Sequence, residues 1–250
     1  MGSLWFKNAI IYSLDVETFS DSNGDGIGDF EGLISRVDYI AGLGVTCLWI
    51  LPFYPSPNRD NGYDVMDYYN VDERLGNLGD FVRFLEKCAA YGIRVIIDLV
   101  VNHTSREHPW FESARRDKNS PFRKYYVWAD EPGHYDQDQL ILKGEENTMW
   151  TFDEEAGQYY LHRFYKEQPD LNIANPVVRE EILKITDFWL RLGVSGFRID
   201  AAEMLIEDVG MQGVDTKDLE KFLDTLRRHI AGKDPEVILI AETNVLPESV

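Results

Sequence analysis

The feature that most limits how this chain can fold is a repeat of short apolar runs alternating with helix-length stretches. Ile10 to Leu14, Val45 to Leu51, Arg94 to Val101, Gly196 to Ala201 and Val237 to Ala241 each read as a strand. The third is an almost unbroken β-branched run, the composition of a parallel strand covered on both faces. Between the runs, apolar residues recur at helical spacing. Phe30, Leu33, Ile34, Val37 and Ile40 predict one helix, started by Asp29 and stopped by Gly44. Phe81, Phe84, Leu85 and Cys88 predict a second, ending near Gly92. Val178, Ile182, Ile185, Trp189 and Leu192 predict a third, and Leu219 to Ile230 a fourth. Strand and helix repeating in one direction imply a parallel sheet, either closed as a barrel or open and doubly wound. No glycine fingerprint for a dinucleotide follows the first strand and no phosphate loop is present, which favours an α/β fold of the (β/α)8 TIM-barrel type.

The alternation stops between Thr104 and Pro176. That stretch is rich in charge and aromatics, lacks clear helical periodicity, and is too long for a simple connection, so it reads as an inserted subdomain after the third strand. The expected organisation is 1–103 for strands one to three, 104–176 for the insertion and 177–250 for strands four and five. Five strands cannot close a barrel, so the chain is expected to be the front part of a longer protein.

Twenty-five basic against 44 acidic side chains give a net charge of −19, which repels a phosphate backbone. The basic clusters (Arg115-Arg116 with Lys118, Arg123-Lys124, Arg227-Arg228) are short and not interleaved with aromatics, so no nucleic acid is expected as a partner. No apolar run approaches the roughly 18 residues that a membrane helix needs. The first residues show no secretory signal. Cys47 and Cys88 fall on apolar faces and read as small buried hydrophobes, so a cytoplasmic protein with reduced thiols is expected. Oligomeric state is not legible.

Function in parallel α/β folds collects at the C-terminal ends of the strands. Here those ends are polar: Asp98 to His103, Arg198 to Asp200, and Ala241 to Asn244. Side chains alternate along a strand, so Arg198 and Asp200 share one face and Asp98, Val100 and Asn102 another. If those faces point into the barrel mouth, Asp98, Arg198, Asp200 and Glu242 converge. Adjacent parallel strands lie about 4.8 Å apart, and carboxylates about 5 Å apart are what retaining glycosidases use. Arg198 would keep Asp200 ionised as a nucleophile, and the Asp200 charge would keep a proton on Glu242 as general acid. Paired acids at strand ends also serve metals and plain salt bridges, and spacing alone leaves those readings open.

Asp98 to His103 (DLVVNH), Gly196 to Asp200 (GFRID), Leu239 to Asn244 (LIAETN) and Gln168 to Asn172 (QPDLN) resemble, in order, four signature regions of the α-amylase superfamily of glycoside hydrolases. The stretch after the third strand is similar to that family's domain B. QPDLN and the Ser56 to Asp64 run (SPNRDNGYD) are closest in flavour to the trehalose synthase and oligosaccharide α-glucosidase branch. The resemblance implies Asp200 as nucleophile and Glu242 as acid/base. It implies Arg198 as the residue that orients Asp200, and Asp98 as a supporting carboxylate that holds the arginine. Tyr63 would stack on the sugar, His103 would bond its hydroxyls, and Asp60 would grip a non-reducing glucose. The family's third carboxylate, which follows the seventh strand, has no counterpart before Val250. Small α-glucosides such as maltose or trehalose are the implied substrates. Conversion of maltose to trehalose is the leading reading, with an exo-acting α-glucosidase and then an α-amylase behind it.

Asp21 to Asp29 (DSNGDGIGD) places oxygen donors on alternate residues with glycines between, which suits a hard cation. The twelfth position is Gly32 rather than Glu, so this is not an EF-hand, and the alternative is an Asx-rich turn capping the helix at Asp29. The branch resemblance implies calcium held by Asp21, Asn23, Asp25, Ile27 and Asp29. His103 and His108 have no metal spacing, and His134, His162 and His229 read as surface residues. Two rivals stand beside the enzyme: a barrel that binds sugar without catalysis, and a metal-dependent hydrolase in which Asp200 and Glu242 ligate a cation.

Overall fold

A computed structural model describes residues 4–133, 140–205 and 216–243. In chain order, β1 (Ile11–Leu14), the short α1 (Val16–Phe19), α2 (Phe30–Ile34), α3 (Val37–Gly42), β2 (Cys47–Ile50), α4 (Leu78–Ala90) and β3 (Arg94–Leu99) come first. Then come α5 (Pro109–Arg116), β4 (Trp128–Ala129), β5 (Trp150–Asp153) and β6 (Gln158–Leu161). The series continues with α6 (Pro176–Leu192), β7 (Gly196–Ile199), α7 (Thr216–Lys233) and β8 (Ile238–Ala241). His134 and Asn244 lie outside the described residues.

Five strands form one sheet in the order β1-β2-β3-β7-β8, and each neighbouring pair is parallel. This is the five-strand portion of a (β/α)8 barrel. Sequential strands lie side by side because a helix that packs back over the sheet joins each strand to the next, the only economical route between parallel neighbours. β3 is buried along nearly its whole length, as its β-branched run requires. Its outer face meets α4, whose Phe81, Phe84, Leu85 and Cys88 are buried and whose start is fixed by a reciprocal Asn77–Asp80 capping box. Trp189 of α6 joins Phe53 and Phe81 in an aromatic cluster, with ring centroids 5.3 Å apart in both pairs. Gly193 ends α6 in the left-handed region at φ +110°.

The helix expected over Phe30 to Ile40 is two helices. Asp29 does start it, accepting the Gly32 N–H. Ser35 then turns its hydroxyl back onto the Gly32 carbonyl at 2.6 Å, and Arg36 leaves helical geometry at ψ 3°. Leu33, Val37 and Ile40 nonetheless stay fully buried on one side, so the apolar period survives the break.

Between β3 and α6 the chain builds a small antiparallel sheet, β4-β6-β5. It also contains α5, a helix that aperiodicity had not predicted. Pro109 sits in the first turn and the His108 ring nitrogen accepts the Trp110 N–H, so the start is well defined. Phe111 is the centre of this packing, with Tyr126, Trp128 and Tyr160 at 5.0, 5.4 and 5.1 Å between centroids. His162 is a correction to the surface reading: it is wholly buried, with its two ring nitrogens on Thr151 Oγ1 and the Phe164 carbonyl, both at 2.9 Å. Cys47 and Cys88 are buried free thiols, and burial pushes both up to about 12. The basic clusters meet acids: Arg115 lies 2.9 Å from Asp153 and Arg116 reaches Glu112 at 2.5 Å. Among the described residues no helix is long and apolar enough to cross a membrane.

Candidate active site

Register alone brings the key acids to one place. Asp98 of β3 is level with Arg198 of β7, and Ile199 is level with Ala241 of β8, so Asp200 and Glu242 follow at adjacent strand tips. Backbone bonds continue the ladder there, from Asp200 N–H to the Leu99 carbonyl and from Glu242 N–H to the Ile199 carbonyl. Arg198 gathers the carboxylates. Its Nη1 lies 2.6 Å from Asp98 Oδ1 and 2.6 Å from Asp200 Oδ1, and its Nη2 lies 2.6 Å from Glu242 Oε1. Asp98 and Asp200 are buried, at 1% and 7% exposure, while the Glu242 side chain is the most open of the three at 41%.

The chain turns sharply just past Asp200. Ala201 adopts φ +46°, a left-handed conformation that costs a residue with a Cβ about 1–2 kcal/mol. The turn brings the Ala201 N–H to Glu242 Oε2 at 3.0 Å, so both Glu242 oxygens have partners. Tyr63 overlooks the cluster, its hydroxyl 3.4 Å from Arg198 Nη1 and its ring 6.0 Å from the guanidinium carbon. On the other side Trp49 donates its indole N–H to Asp98 Oδ2 at 2.7 Å.

The electrostatic balance runs against the expectation that Arg198 holds Asp200 low. Burial is the largest influence and raises Asp200 to about 7; Arg198 pulls the other way, while Asp98 and Glu242 add to the rise. Asp98 rises to about 6 for the same first reason, with Arg198 and the Trp49 hydrogen bond opposing it. Burial also works against the Arg198 charge, yet the two aspartates outweigh it and hold the guanidinium protonated. One cation shared among three carboxylates cannot fully offset the desolvation of the two buried aspartates.

The Ser56 to Asp64 loop links Asp60 and His103 to the cluster, since Tyr63 faces His103 through its carbonyl and Arg198 through its hydroxyl. Buried Asp64 shapes that loop by accepting the Ser56 hydroxyl at 2.7 Å and the backbone N–H groups of Arg59 and Asp60 at 3.2 and 3.3 Å. Asn58 and Asn61 take φ +56° and +46°, conformations that asparagine tolerates better than most residues. Asp60 Oδ2 accepts the Gln168 side-chain amide at 2.8 Å. His103 is buried; Nε2 faces the Tyr63 carbonyl at 3.2 Å and Nδ1 faces the Asn102 amide at 3.4 Å. That arrangement fits a neutral ring, and burial lowers the His103 pKa accordingly.

A second buried cluster ties the insertion to the sheet. Arg163 Nε donates to Asp170 Oδ2 at 2.5 Å, Nη2 to Asn102 Oδ1 at 2.7 Å, and Nη1 to the Met204 carbonyl at 2.8 Å. Asn102 therefore does not continue the Asp98 face, because β3 ends at Leu99 and strict alternation ends with it. The QPDLN motif gives Gln168 and Asp170 no partners, and the strand-end pattern marks neither Arg163 nor Trp49. For Trp49 a signal was present: a residue with an N–H handle on an otherwise apolar strand needs an acceptor.

In the Asp21 to Asp29 loop the side chains turn to the loop's own backbone. Asp21 accepts the N–H groups of Asn23, Gly24 and Gly26; Asn23 accepts that of Asp25, and Asp25 that of Ile27. The Gly24 and Gly26 bonds hold Asp21 below the usual carboxylate range. Asp29 accepts from Gly32 and Ser22. Among the described residues no three acidic, histidine or cysteine side chains converge as a metal cluster. By chemistry the donors still suit a hard cation: all are oxygens, with lone pairs left after these bonds.

Residues 12–248 match the family described as alpha amylase, catalytic domain. The trehalose synthase/amylase of Mycolicibacterium smegmatis is 45% identical over 246 residues, covering 98% of this chain and 42% of that protein. A trehalose synthase of Thermus thermophilus is 45% identical over 249 residues, covering 99% of this chain and 26% of its own. An oligo-1,6-glucosidase of Parageobacillus thermoglucosidasius is 45% identical over 210 residues, covering 82% and 36%. The chain thus spans less than half the length of these curated relatives. Among solved structures, the trehalose-6-phosphate hydrolase of Bacillus licheniformis superimposes with a TM-score of 0.87 at 34% identity, covering 98% of this chain and 46% of that one.

Proposed function

The chain belongs to the α-amylase family, through its catalytic domain, and from that premise we propose that the protein is a retaining α-glucoside-acting enzyme, most like a trehalose synthase. Asp200 attacks the anomeric carbon and Glu242 protonates the leaving oxygen, forming a glucosyl-enzyme. Glu242 then activates the acceptor. If the released glucose is the acceptor, maltose becomes trehalose; if water is, the enzyme is an α-glucosidase. The observation that carries this reading is the single guanidinium of Arg198 reaching both Asp200 and Glu242 from neighbouring strand tips. Asp60, held by Gln168, suits a site that receives the end of a short chain. The rival in which Asp200 and Glu242 ligate a cation is less favoured, since both already engage Arg198. The organisation into 1–103, 104–176 and 177–250, and a cytoplasmic location consistent with two reduced thiols, belong to the same reading.

Asp200→Asn in the full-length protein incubated with maltose is the direct test. Turnover should drop by roughly three orders of magnitude or more, because an amide cannot form the covalent intermediate. Substantial residual turnover in a folded variant defeats the reading. In the unaltered protein, trehalose among the products supports the isomerase, and glucose alone supports the hydrolase.

Calcium in the Asp21 to Asp29 loop is part of the proposal. Asp21, Asn23, Asp25, Asp29 and the Ile27 carbonyl would hold it, and it would supply stability rather than chemistry. Chelation should lower the melting temperature while leaving turnover at low temperature unchanged, and Asp25→Ala should remove the calcium dependence of that temperature. A melting temperature indifferent to calcium at millimolar concentration rules the site out.

A further inference from the structure

We infer that Trp49 is a positioning residue for the acid cluster: its indole N–H fixes the Asp98 carboxylate, and Asp98 in turn fixes Arg198 between Asp200 and Glu242. The inference rests on the catalytic reading above. Trp49 lies on β2, level with Ile96 of β3, on the same face as Cys47. Its ring packs against the apolar cluster of Cys47, Ile96 and Ile238, beside the charged pair Asp98 and Arg198 on the same face of the sheet. The sequence places there a ring with one donor, and that donor has a charged acceptor at 2.7 Å.

Asp98 can hold only one orientation under these bonds. Oδ2 takes the indole N–H and Oδ1 takes Arg198 Nη1 at 2.6 Å, so the carboxylate plane is pinned at both oxygens. The Tyr54 hydroxyl bonds the Asp98 backbone carbonyl at 2.7 Å and does not hold the side chain. Trp49 also presents its ring face to Arg198, with the guanidinium carbon 5.0 Å from the ring centroid. One side chain therefore touches both members of the pair that orients Asp200. Without the N–H, Asp98 is free to turn about its terminal torsion, and Arg198 loses the fixed point from which it reaches the other two acids. Such a loss acts on the geometry of the reacting groups and not on ground-state sugar binding, so it lowers kcat with little change in KM.

Two substitutions in the full-length protein separate the donor from the bulk. Trp49→Phe keeps an aromatic face and removes the N–H. Trp49→His carries Nε2–H at the same bond distance from the ring's attachment point as the indole nitrogen, and loses bulk instead. With maltose at pH 8, Trp49→Phe should lower kcat about tenfold to a hundredfold, the range for removing a hydrogen bond to a charged group. KM should stay within about twofold and the melting temperature within a few degrees. Trp49→His should recover several-fold of that kcat. A folded Trp49→Phe at parental kcat, or a folded Trp49→His no faster than Trp49→Phe, overturns the inference. If Trp49→Phe fails to fold, Trp49→Leu serves as the donor-free variant: a folded Trp49→His several-fold faster than it supports the donor role, and one no faster removes it. Asp200→Asn run in parallel tells the two readings apart. An inert Asp200→Asn beside a fully active Trp49→Phe sinks only the role of Trp49, whereas an active Asp200→Asn sinks the catalytic reading itself.

Discussion

Asp200 is pulled in two directions, and the sign of the outcome has a thermodynamic consequence. In the unfolded chain its carboxyl titrates near 3.8; in the fold, burial lifts it to about 7 despite Arg198. Between those values the native state binds the proton that the unfolded chain releases, so stability falls as pH rises through the window. The contribution is favourable at the acid end and wholly lost above about 7; Asp98, raised to about 6, acts with the same sign. Asp200→Asn removes the charge and should therefore be more stable than the parent at pH 8, by on the order of 1–3 kcal/mol. The advantage should vanish near pH 4, and paired urea titrations at both pH values measure it. A variant less stable than the parent at pH 8 means that the Arg198 pairing outweighs burial after all. At this scale the sequence was half legible. Asp98, Arg198, Asp200 and Glu242 sit at strand ends where alternation alone predicts their meeting. Trp49 and Asp98, or Asn102 and Asp170, are partners across 49 and 68 positions, and no local pattern encodes such a pair. His162 reads as a surface residue because one of its partners, Thr151, comes from a strand that only the folded insertion lays beside it.

Strands and long helices are legible in kind because each carries a sustained period. α4 and α6 repeat an apolar face over 13 and 17 residues. α5 has only eight residues, with Phe111 and Ala114 buried, too few repeats to stand out from its charged surroundings. The break between α2 and α3 is equally silent in hydropathy, since a serine hydroxyl and one backbone angle produce it. β7 shows how an element serves the site through a missing side chain. A Cβ on Gly196 would lie 2.6 Å from the Ile238 carbonyl oxygen and 2.9 Å from Ile96 Cγ2, so neither neighbouring strand leaves room for one. Gly196→Ala should force β7 and β8 apart at their base, costing about 1–3 kcal/mol as overpacking does. It should also reduce turnover, since Asp200 and Glu242 ride on those two strands. Chemical denaturation and maltose kinetics on the same preparation check both halves. Unchanged stability would mean that the strands yield without strain.

For the molecule as a whole, the inserted sheet and the parallel sheet behave as one body only if something joins them. The Arg163 guanidinium does so, bonding Asp170 beside it, Asn102 after β3 and the Met204 carbonyl after β7. Arg163 and Asp170 are almost wholly buried, with side chains at 2% and 1% exposure, so removing one leaves an uncompensated charge. Arg163→Met should destabilise by about 3–5 kcal/mol, and pairing it with Asp170→Leu should return much of that loss. Differential scanning calorimetry reads both. A double variant as unstable as the single one would show that the cost lies in packing and not in the stranded carboxylate.

Arg198 supplies one positive charge where Asp98, Asp200 and Glu242 can supply three negative ones. With Asp98 and Asp200 ionised and Glu242 still carrying its proton, the cradle already holds a surplus of anion, and a neutral pyranose gives it nothing to balance. A sugar ring flattened and made electron-poor at its anomeric centre does, because it is briefly a cation. On the proposed reading, the mismatch in charge count makes the pocket a better host for the fleeting species at the top of the barrier than for the resting sugar on either side of it.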